Sequence, residues 1–494
     1  MAGRTPKQTV GALPEAAADA PLVPAALTWL TWTLFAASVG VLAAHLRAAG
    51  GWHVPGPFAV DGLTVLMWVV VTFFGGVVQS YSRRYLAGSR HQAGFALTVL
   101  AFTLAVAGLV AADHLAVFAV LWLAMGLAMA ELVGTVDDWR QARAAASVAR
   151  KYFLASSALL GVALAALWWA SGATTISGVA AAAEGLAGPA WGVAAAALVL
   201  AAAIQSALVP FHRWLLSSMT APTPASALMH AGFVNAGGVL LTRFAPVLTA
   251  DPAVMLGVFA VGATSALLGK LFKTVQPDVK GQLGCSTVGQ MGFMIAQAGL
   301  GFFAAAITHL VLHGFYKAYQ FLSSGSRVER AAPGGGEAAN LGLAGAAVVV
   351  ATGLAGGGLF AALTGEGTHF DSGLLLVAFV ALTTLHAARS AVQQTSLPAA
   401  ARYGAVPLVF APAITVYALV YESVSTVLAD LPVVVARTEL MPLHVLVAAG
   451  FFAAYAAIEA GVHERSERAY VALLNASQPA PSTLLTAPEE YDDH

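Results

Sequence analysis

The sequence predicts an all-α polytopic membrane protein with about 14 transmembrane helices, and three observations carry that reading. Of 494 residues, 59% are hydrophobic and only 10% charged, where a soluble domain carries about 25%. Apolar runs of about 20 residues, enough to cross a bilayer as a helix, recur along the chain. They are continuous rather than alternating, which excludes a strand-built barrel. Lysine and arginine also segregate. With strictly alternating loops, 17 of the 23 fall on one side and only Arg47 and Arg437 on the other, while Arg243, Lys270, Lys317 and Arg389 fall inside spans. One missed helix would scramble that split. The positive-inside rule makes the basic side cytoplasmic. A multi-pass protein of the cell (plasma) membrane, with both termini cytoplasmic, is expected. The opposite loops carry Asp113, Glu184, Asp251, Glu366 and Asp371.

In chain order, residues 1–22 are polar, Ala/Pro-rich and without the layout of a signal peptide, and read as a cytoplasmic N-terminus. Spans are predicted at 23–46, 58–80, 93–112, 114–134, 152–170, 190–209, 225–247, 253–272, 284–300, 302–326, 340–361, 372–396, 403–428 and 441–461, a single transmembrane domain over 23–461. Residues 462–494 read as a short cytoplasmic tail. Within it, Ala469 to Leu474 makes one or two amphipathic turns, and Pro479 to His494 is disordered. The net charge of −1 argues against a nucleic-acid partner and leaves the lipid bilayer as the surroundings. The single cysteine, Cys285, excludes internal disulfides and argues against an iron–sulfur cluster. No cofactor and no metal are expected.

Three clusters place polar residues where apolar ones belong. The first runs from Gln205 to His230. Pro210 removes a backbone donor and breaks the preceding helix, and Thr223 is placed as the N-cap of a new one. His230 lies two turns into it. A kinked helix with a hydrogen-bonded core histidine is the alternative. The second is His309-x3-His313-x3-Lys317, after Thr308. This spacing puts all three side chains on one helical face, neighbours about 6 Å apart. Buried there, they cost several kcal/mol unless hydrated or paired, and such a row can relay protons through water. A lysine snorkelling from a helix end is the alternative, and zinc lacks a third ligand. The third is Asp278-Val279-Lys280, read as a cytoplasmic loop before the glycines 281, 284, 289 and 292, which suit close helix packing and are not a phosphate loop. His386 and Arg389 form a weaker candidate in the twelfth span, with no counter-charge identified.

These residues resemble a family. Phe58-x2-Asp61-Gly62-Leu63, Tyr81-Ser82 and Tyr85, Pro210-Phe211-His212-x-Trp214-Leu215, Ala221-Pro222-Thr223-Pro224-x-Ser226-Ala227-Leu228-x-His230-Ala231, Asp278-Val279-Lys280 with Ser286-Thr287, and His309/His313/Lys317 are similar to the antiporter-like subunits of respiratory complex I (NADH-quinone oxidoreductase subunit 5) and of Mrp sodium–proton antiporters. The resemblance covers residues 58 to 330. It implies two inverted five-helix repeats, each with a broken helix, in a core at about 93–400 with a polar axis at mid-membrane. The chain departs from that pattern. Leu123, after Trp122, stands where the family has a glutamate, and Glu131 is two turns further on and about 80° round the helix. Gln205 stands where the family has a lysine. A long lateral helix is not expected after Gly461.

A subfamily fits better. Met229-His230-Ala231-Gly232-x-Val234-Asn235-Ala236-Gly237-Gly238 and Ser286-Thr287-Val288-Gly289-Gln290-Met291-Gly292-Phe293-Met294 resemble the DabB family, the membrane subunits of DAB-type inorganic carbon transporters. The resemblance implies a large soluble DabA-like partner, carbonic-anhydrase-like and holding the zinc, with cation flow (protons in the first instance) driving CO2 hydration to bicarbonate there, and the cytoplasmic Arg83, Arg84, Arg140 and Arg143 would dock that partner. This chain would then be a transporter subunit and not itself an enzyme. His309, His313 and Lys317 would carry ions in the second half, and His230 and Gln205, with Lys280, His386 and Arg389, would complete the pathway. The alternatives are a pumping subunit of a respiratory dehydrogenase or cation antiporter, against which Leu123 and Gln205 argue, and a membrane anchor without ion flow, against which His309, His313 and Lys317 argue.

Overall fold

A computed structural model describes residues 22–48, 52–53, 57–185, 188–327, 342–393, 398–400, 403–404 and 406–484. Nineteen α-helices are described, with one two-residue hairpin pairing Trp52–His53 and Ala59–Val60. The first group is α1 (Leu22–Ala48), α2 (Gly62–Tyr85), α3 (Gln92–Ala111), α4 (Leu115–Val133), α5 (Arg140–Ser171), the short α6 (Ile176–Ala182) and α7 (Pro189–Gln205). The broken region follows as α8 (Arg213–Ser217), α9 (Thr223–Ala231), α10 (Ala236–Arg243) and α11 (Ala245–Thr249). Then come α12 (Pro252–Val275), α13 (Val279–Gly299), α14 (Phe303–Leu322), α15 (Leu343–Thr364), α16 (Ser372–Val392), α17 (Val406–Val427), α18 (Pro442–Glu459) and α19 (Glu467–Ala476).

Among the described residues, eleven helical segments are long and apolar enough to cross a membrane, counting Thr223–Arg243 as one. The protein is therefore a multi-pass, all-α membrane protein. Three other predicted spans fall on α7, which is apolar but shorter, and on α13 and α14, whose polar residues lower their hydropathy.

The aspartates on the acidic face start helices. Asp61, Asp251 and Asp371 accept the backbone N–H of Thr64, Ala253 and Gly373 at the heads of α2, α12 and α16. On the basic face Asp278 does the same for α13, accepting from Gly281 N at 2.7 Å. Backbone contact holds α12 against α13. A Cβ on Gly292 would sit 2.4 Å from Ala266 N, and one on Gly269 2.2 Å from Gly289 N, so only glycine permits this approach. The main core is an apolar cluster running from α2 to α18, with two small clusters beside it.

Five sequence expectations are corrected. The stretch before residue 152 is not a loop, since α5 begins at Arg140 and carries Arg140, Arg143 and Arg150 on its first turns. The helix before Pro210 ends at Gln205, because Ala207 takes a left-handed φ of 53° and turns the chain before the proline is reached. Thr223 is not the N-cap of α9. Pro222 holds that position with an extended ψ of 143°, and Thr223 and Pro224 lie in the first turn, where a missing N–H costs nothing. Lys280 is not in a solvated loop but in the first turn of α13. Residues 479–484 of the tail are not disordered. Ala480 N donates to Ser217 Oγ (2.9 Å), and Thr483 is buried. Residues 1–21 and 485–494 lie outside the described residues.

Candidate functional site

The site is built on the break. After α7 the chain turns through the short α8 before α9 begins, and buried non-helical backbone needs partners. Ser206 Oγ donates to Val234 O (2.7 Å), and Trp214 Nε1 to Ile204 O (2.9 Å). Lys280 Nζ reaches two freed carbonyls, Met219 O at 3.4 Å and Ala221 O at 3.3 Å. Lys280 thus helps hold the re-entrant backbone in place. His212 is bound from below, with its Nε2 2.9 Å from Ala476 O at the end of α19.

Above the break lies a buried polar row. His230 on α9 and Thr287 on α13 are fully buried, with His230 Nδ1 2.9 Å from Thr287 Oγ1. Thr287 Oγ1 itself donates to Leu283 O at 2.9 Å. A hydroxyl has one proton to give, so His230 Nδ1 is the donor in the other bond. The ring then carries its lone pair on Nε2, which is buried and has no protein partner. Leu283 O also accepts from Lys317 Nζ at 2.9 Å. One carbonyl therefore joins the threonine bound by His230 to the lysine of α14. Lys317 is fully buried, which rules out a snorkelling side chain.

One turn along α14, His313 is buried on the same helical face as Lys317. One turn further, His309 stacks on His313 with ring centroids 5.7 Å apart. The Nε2 atoms of both rings are buried without protein partners. A buried polar atom left unmet costs about 1–3 kcal/mol, and such groups in proteins are met by ordered water. The row therefore has the donors and acceptors of a hydrated proton conduit. Thr287→Val keeps the shape but removes the His230 partner. It is expected to cost about 1–3 kcal/mol of stability and to lower ion flux, read by thermal unfolding and by dye-monitored proton movement.

His309 opens into a cleft of about 560 Å³ lined also by Lys270, Lys273, Gln290, His386 and Tyr455. The counter-charge that Arg389 requires lies beside the cleft's Lys270 and His386. Glu459, the last residue of α18, accepts from Arg389 Nη1 through its carboxylate and from Arg389 Nη2 (3.0 Å) through its carbonyl. Lys270 Nζ lies 2.6 Å from Glu459 Oε1, and His386 Nδ1 3.2 Å from the same oxygen.

Sequence reasoning missed Glu459 and Lys270. Glu459 is the one carboxylate in the predicted span 441–461. Asking which acid could neutralise Arg389 would have singled it out.

The first half is poorer. Gln205 is fully buried with neither amide atom partnered. Asn235 touches a cavity of about 30 Å³ that is otherwise lined by apolar side chains and Trp122, room for one or two waters. Leu123 is half-buried. Glu131 faces outward, 3.8 Å from Arg150, and does not join the row. The candidate docking arginines sit on the basic face at the end of α2 and the start of α5. Arg84, Arg140 and Arg143 are exposed and Arg83 is half-buried. Arg143 Nη1 donates to Asp137 O. Nearby, Arg90 pairs with Asp137 and Asp138.

Comparison with known proteins finds a likeness to antiporter-like membrane subunits. Residues 112–341 match the transmembrane model of the NADH:quinone oxidoreductase/Mrp antiporter family, and residues 46–96 match that of the chain 5 N-terminus of complex I. The chain also resembles DabB subunits. It is 39% identical over 279 residues to the "Probable inorganic carbon transporter subunit DabB" of Bacillus subtilis, covering 56% of this chain and 55% of that one. It is 36% identical over 344 residues to DabB1 of Halothiobacillus neapolitanus, covering 63% and 61%. The NAD(P)H-quinone oxidoreductase chain 5 of Synechocystis is 33% identical over 291 residues, covering 56% and 42%. The chain thus spans little more than half the length of the curated relatives it matches.

Among solved structures, a chain of the Mrp complex from Dietzia superposes with a TM-score of 0.56 at 25% identity, covering 94% of this chain and 51% of that one. One from the archaeal membrane-bound sulfane sulfur reductase gives 0.61 at 16%, covering 84% and 93%, and bears on the fold alone.

Proposed function

We propose that the protein is the ion-translocating membrane subunit of an energy-coupled inorganic carbon uptake complex in the cell membrane. Ions, taken as protons, move along His230, Lys317, His313 and His309. Their movement drives CO2 hydration in a soluble, zinc-holding, DabA-like partner docked on the basic, cytoplasmic face near Arg83, Arg84, Arg140 and Arg143. Catalysis belongs to that partner. The observation that carries this reading is the buried row itself. Lys317, His313 and His230 are withdrawn from solvent, with ring nitrogens left for water, an arrangement whose cost only ion transfer repays.

Likeness to the DabB subunits of two bacteria supports carbon as the substrate. The respiratory reading fits less well, because Leu123 is apolar and Gln205 uncharged. To test the proposal, the chain is expressed with a DabA-like large subunit in a host lacking carbonic anhydrase. Growth in air is expected. An assembled complex that leaves the host dependent on added CO2 refutes carbon uptake.

A further inference from the structure

The tail from α19 onward covers a weak point below the buried row. Leu473 and Ala476 of α19 pack on a small apolar cluster made of Leu216 from α8, Phe272 from α12 and Cys285 from α13. This cluster is separate from the main core. Cys285 is fully buried in it. It stands two residues beyond Leu283, whose carbonyl holds Lys317, and two before Thr287, the partner of His230. Less than one helical turn therefore separates the covered cluster from the row.

The tail is held lightly. No residue of α19 is fully buried. At its end His212 Nε2 donates to Ala476 O (2.9 Å), and Gln276 Nε2 donates to Ser477 Oγ (2.8 Å). Ala480 N then donates to Ser217 Oγ (2.9 Å) on α8. Water can take over each of these bonds once the tail lifts, so detachment leaves no polar group unmet. A segment with few buried contacts and replaceable hydrogen bonds opens locally at far lower cost than the core.

We propose that residues 467–484 are a detachable lid over the basic-face entrance to the buried row. Closed, as here, it keeps water from the cluster around Cys285. Lifted, it admits water to that turn of α13 and on to Lys317. The inference rests on the ion-pathway reading above and adds what shuts that path from below.

Cys285 is the single cysteine of the chain and reports on the lid directly. Membrane vesicles carrying the full chain are treated with N-ethylmaleimide, which crosses membranes and so reads exposure of the thiol rather than its side. Slow labelling is expected in wild type. Leu473→Glu sets a charge against the cluster and should label at least about tenfold faster. Ser217→Ala removes the acceptor of the Ala480 N–H and should label faster by a smaller factor, whereas Ser217→Thr keeps the hydroxyl and should label as wild type does. Proton movement after an imposed potential, read by a pH-sensitive dye, should rise in the two faster variants and fall away when Lys317→Met is added. Should Leu473→Glu fail to insert, Ser217→Ala carries the comparison. Labelling as slow in these variants as in wild type overturns the lid. So does faster labelling with unchanged proton movement, or a rise in proton movement that survives Lys317→Met. Vesicles that move no protons in any variant, while Cys285 labelling still follows the tail, overturn the ion-pathway reading and the gating role together and leave only the detachment standing.

Discussion

Replacing Lys317 with methionine is expected to abolish ion flux and growth in air while leaving the protein folded. The side chain is fully buried and makes one hydrogen bond, to Leu283 O. Methionine fills nearly the same volume and carries no charge to desolvate, and exchanging a buried ionisable group for a well-packed apolar one is often neutral or stabilising. Leu283 O loses one donor but keeps Thr287 Oγ1. The unfolding temperature should therefore stay within a few degrees of wild type, while flux falls at least about 100-fold. Equal loss of stability and flux would make Lys317 a structural residue. Lys317→Ala should lose the same function, with an added stability cost from the void it leaves.

Arg243→Ala is expected to give the largest loss of stability. Arg243 closes α10 at the acidic face and joins three elements: it donates to Asp61 at the head of α2, to Thr64 Oγ1 (3.2 Å) and to Val110 O (2.7 Å) on α3. Removing it leaves Asp61 largely buried without its counter-charge. Breaking such a pair from one side costs about 3–5 kcal/mol, read as unfolding in mild detergent.

The pair also sets a pH dependence. Burial alone would raise the Asp61 carboxyl, but the Arg243 guanidinium beside it, with hydrogen bonds from Thr64, holds it below the ordinary value of 3.8. A depressed carboxyl stabilises the fold above its unfolded value, and that contribution is lost as pH falls through the folded value. The stability gap between wild type and Arg243→Ala should therefore be widest near neutral pH and narrow below about pH 4. A gap that widens in acid would contradict this account of the pair.

Much of the architecture was readable because a bilayer constrains a sequence so tightly. Runs of about 20 apolar residues and the one-sided placement of lysine and arginine gave the class and most helix positions. The row His309, His313, Lys317 was readable because helical spacing alone puts three costly side chains on one face. Spacing within a helix cannot show what meets that face. Thr287, Leu283 O and Glu459 join the site from α13 and α18 by tertiary packing. The turn at Ser206–Ala207 was missed because proline is the stronger local signal, yet a left-handed alanine reverses the chain first. Lys280 looked solvated because Pro277 and Asp278 beside it are loop formers. In the structure Asp278 is a helix cap, and Lys280 follows it into the helix and beneath the break.

The most direct measurement of the central claim is accumulation of labelled inorganic carbon by cells carrying the full chain and its partner. It is compared between wild type, wild type with an uncoupler, and Lys317→Met. The account predicts accumulation well above the external level in wild type and collapse to equilibrium in the other two. Undiminished accumulation in Lys317→Met, at normal levels of assembled complex, would contradict it.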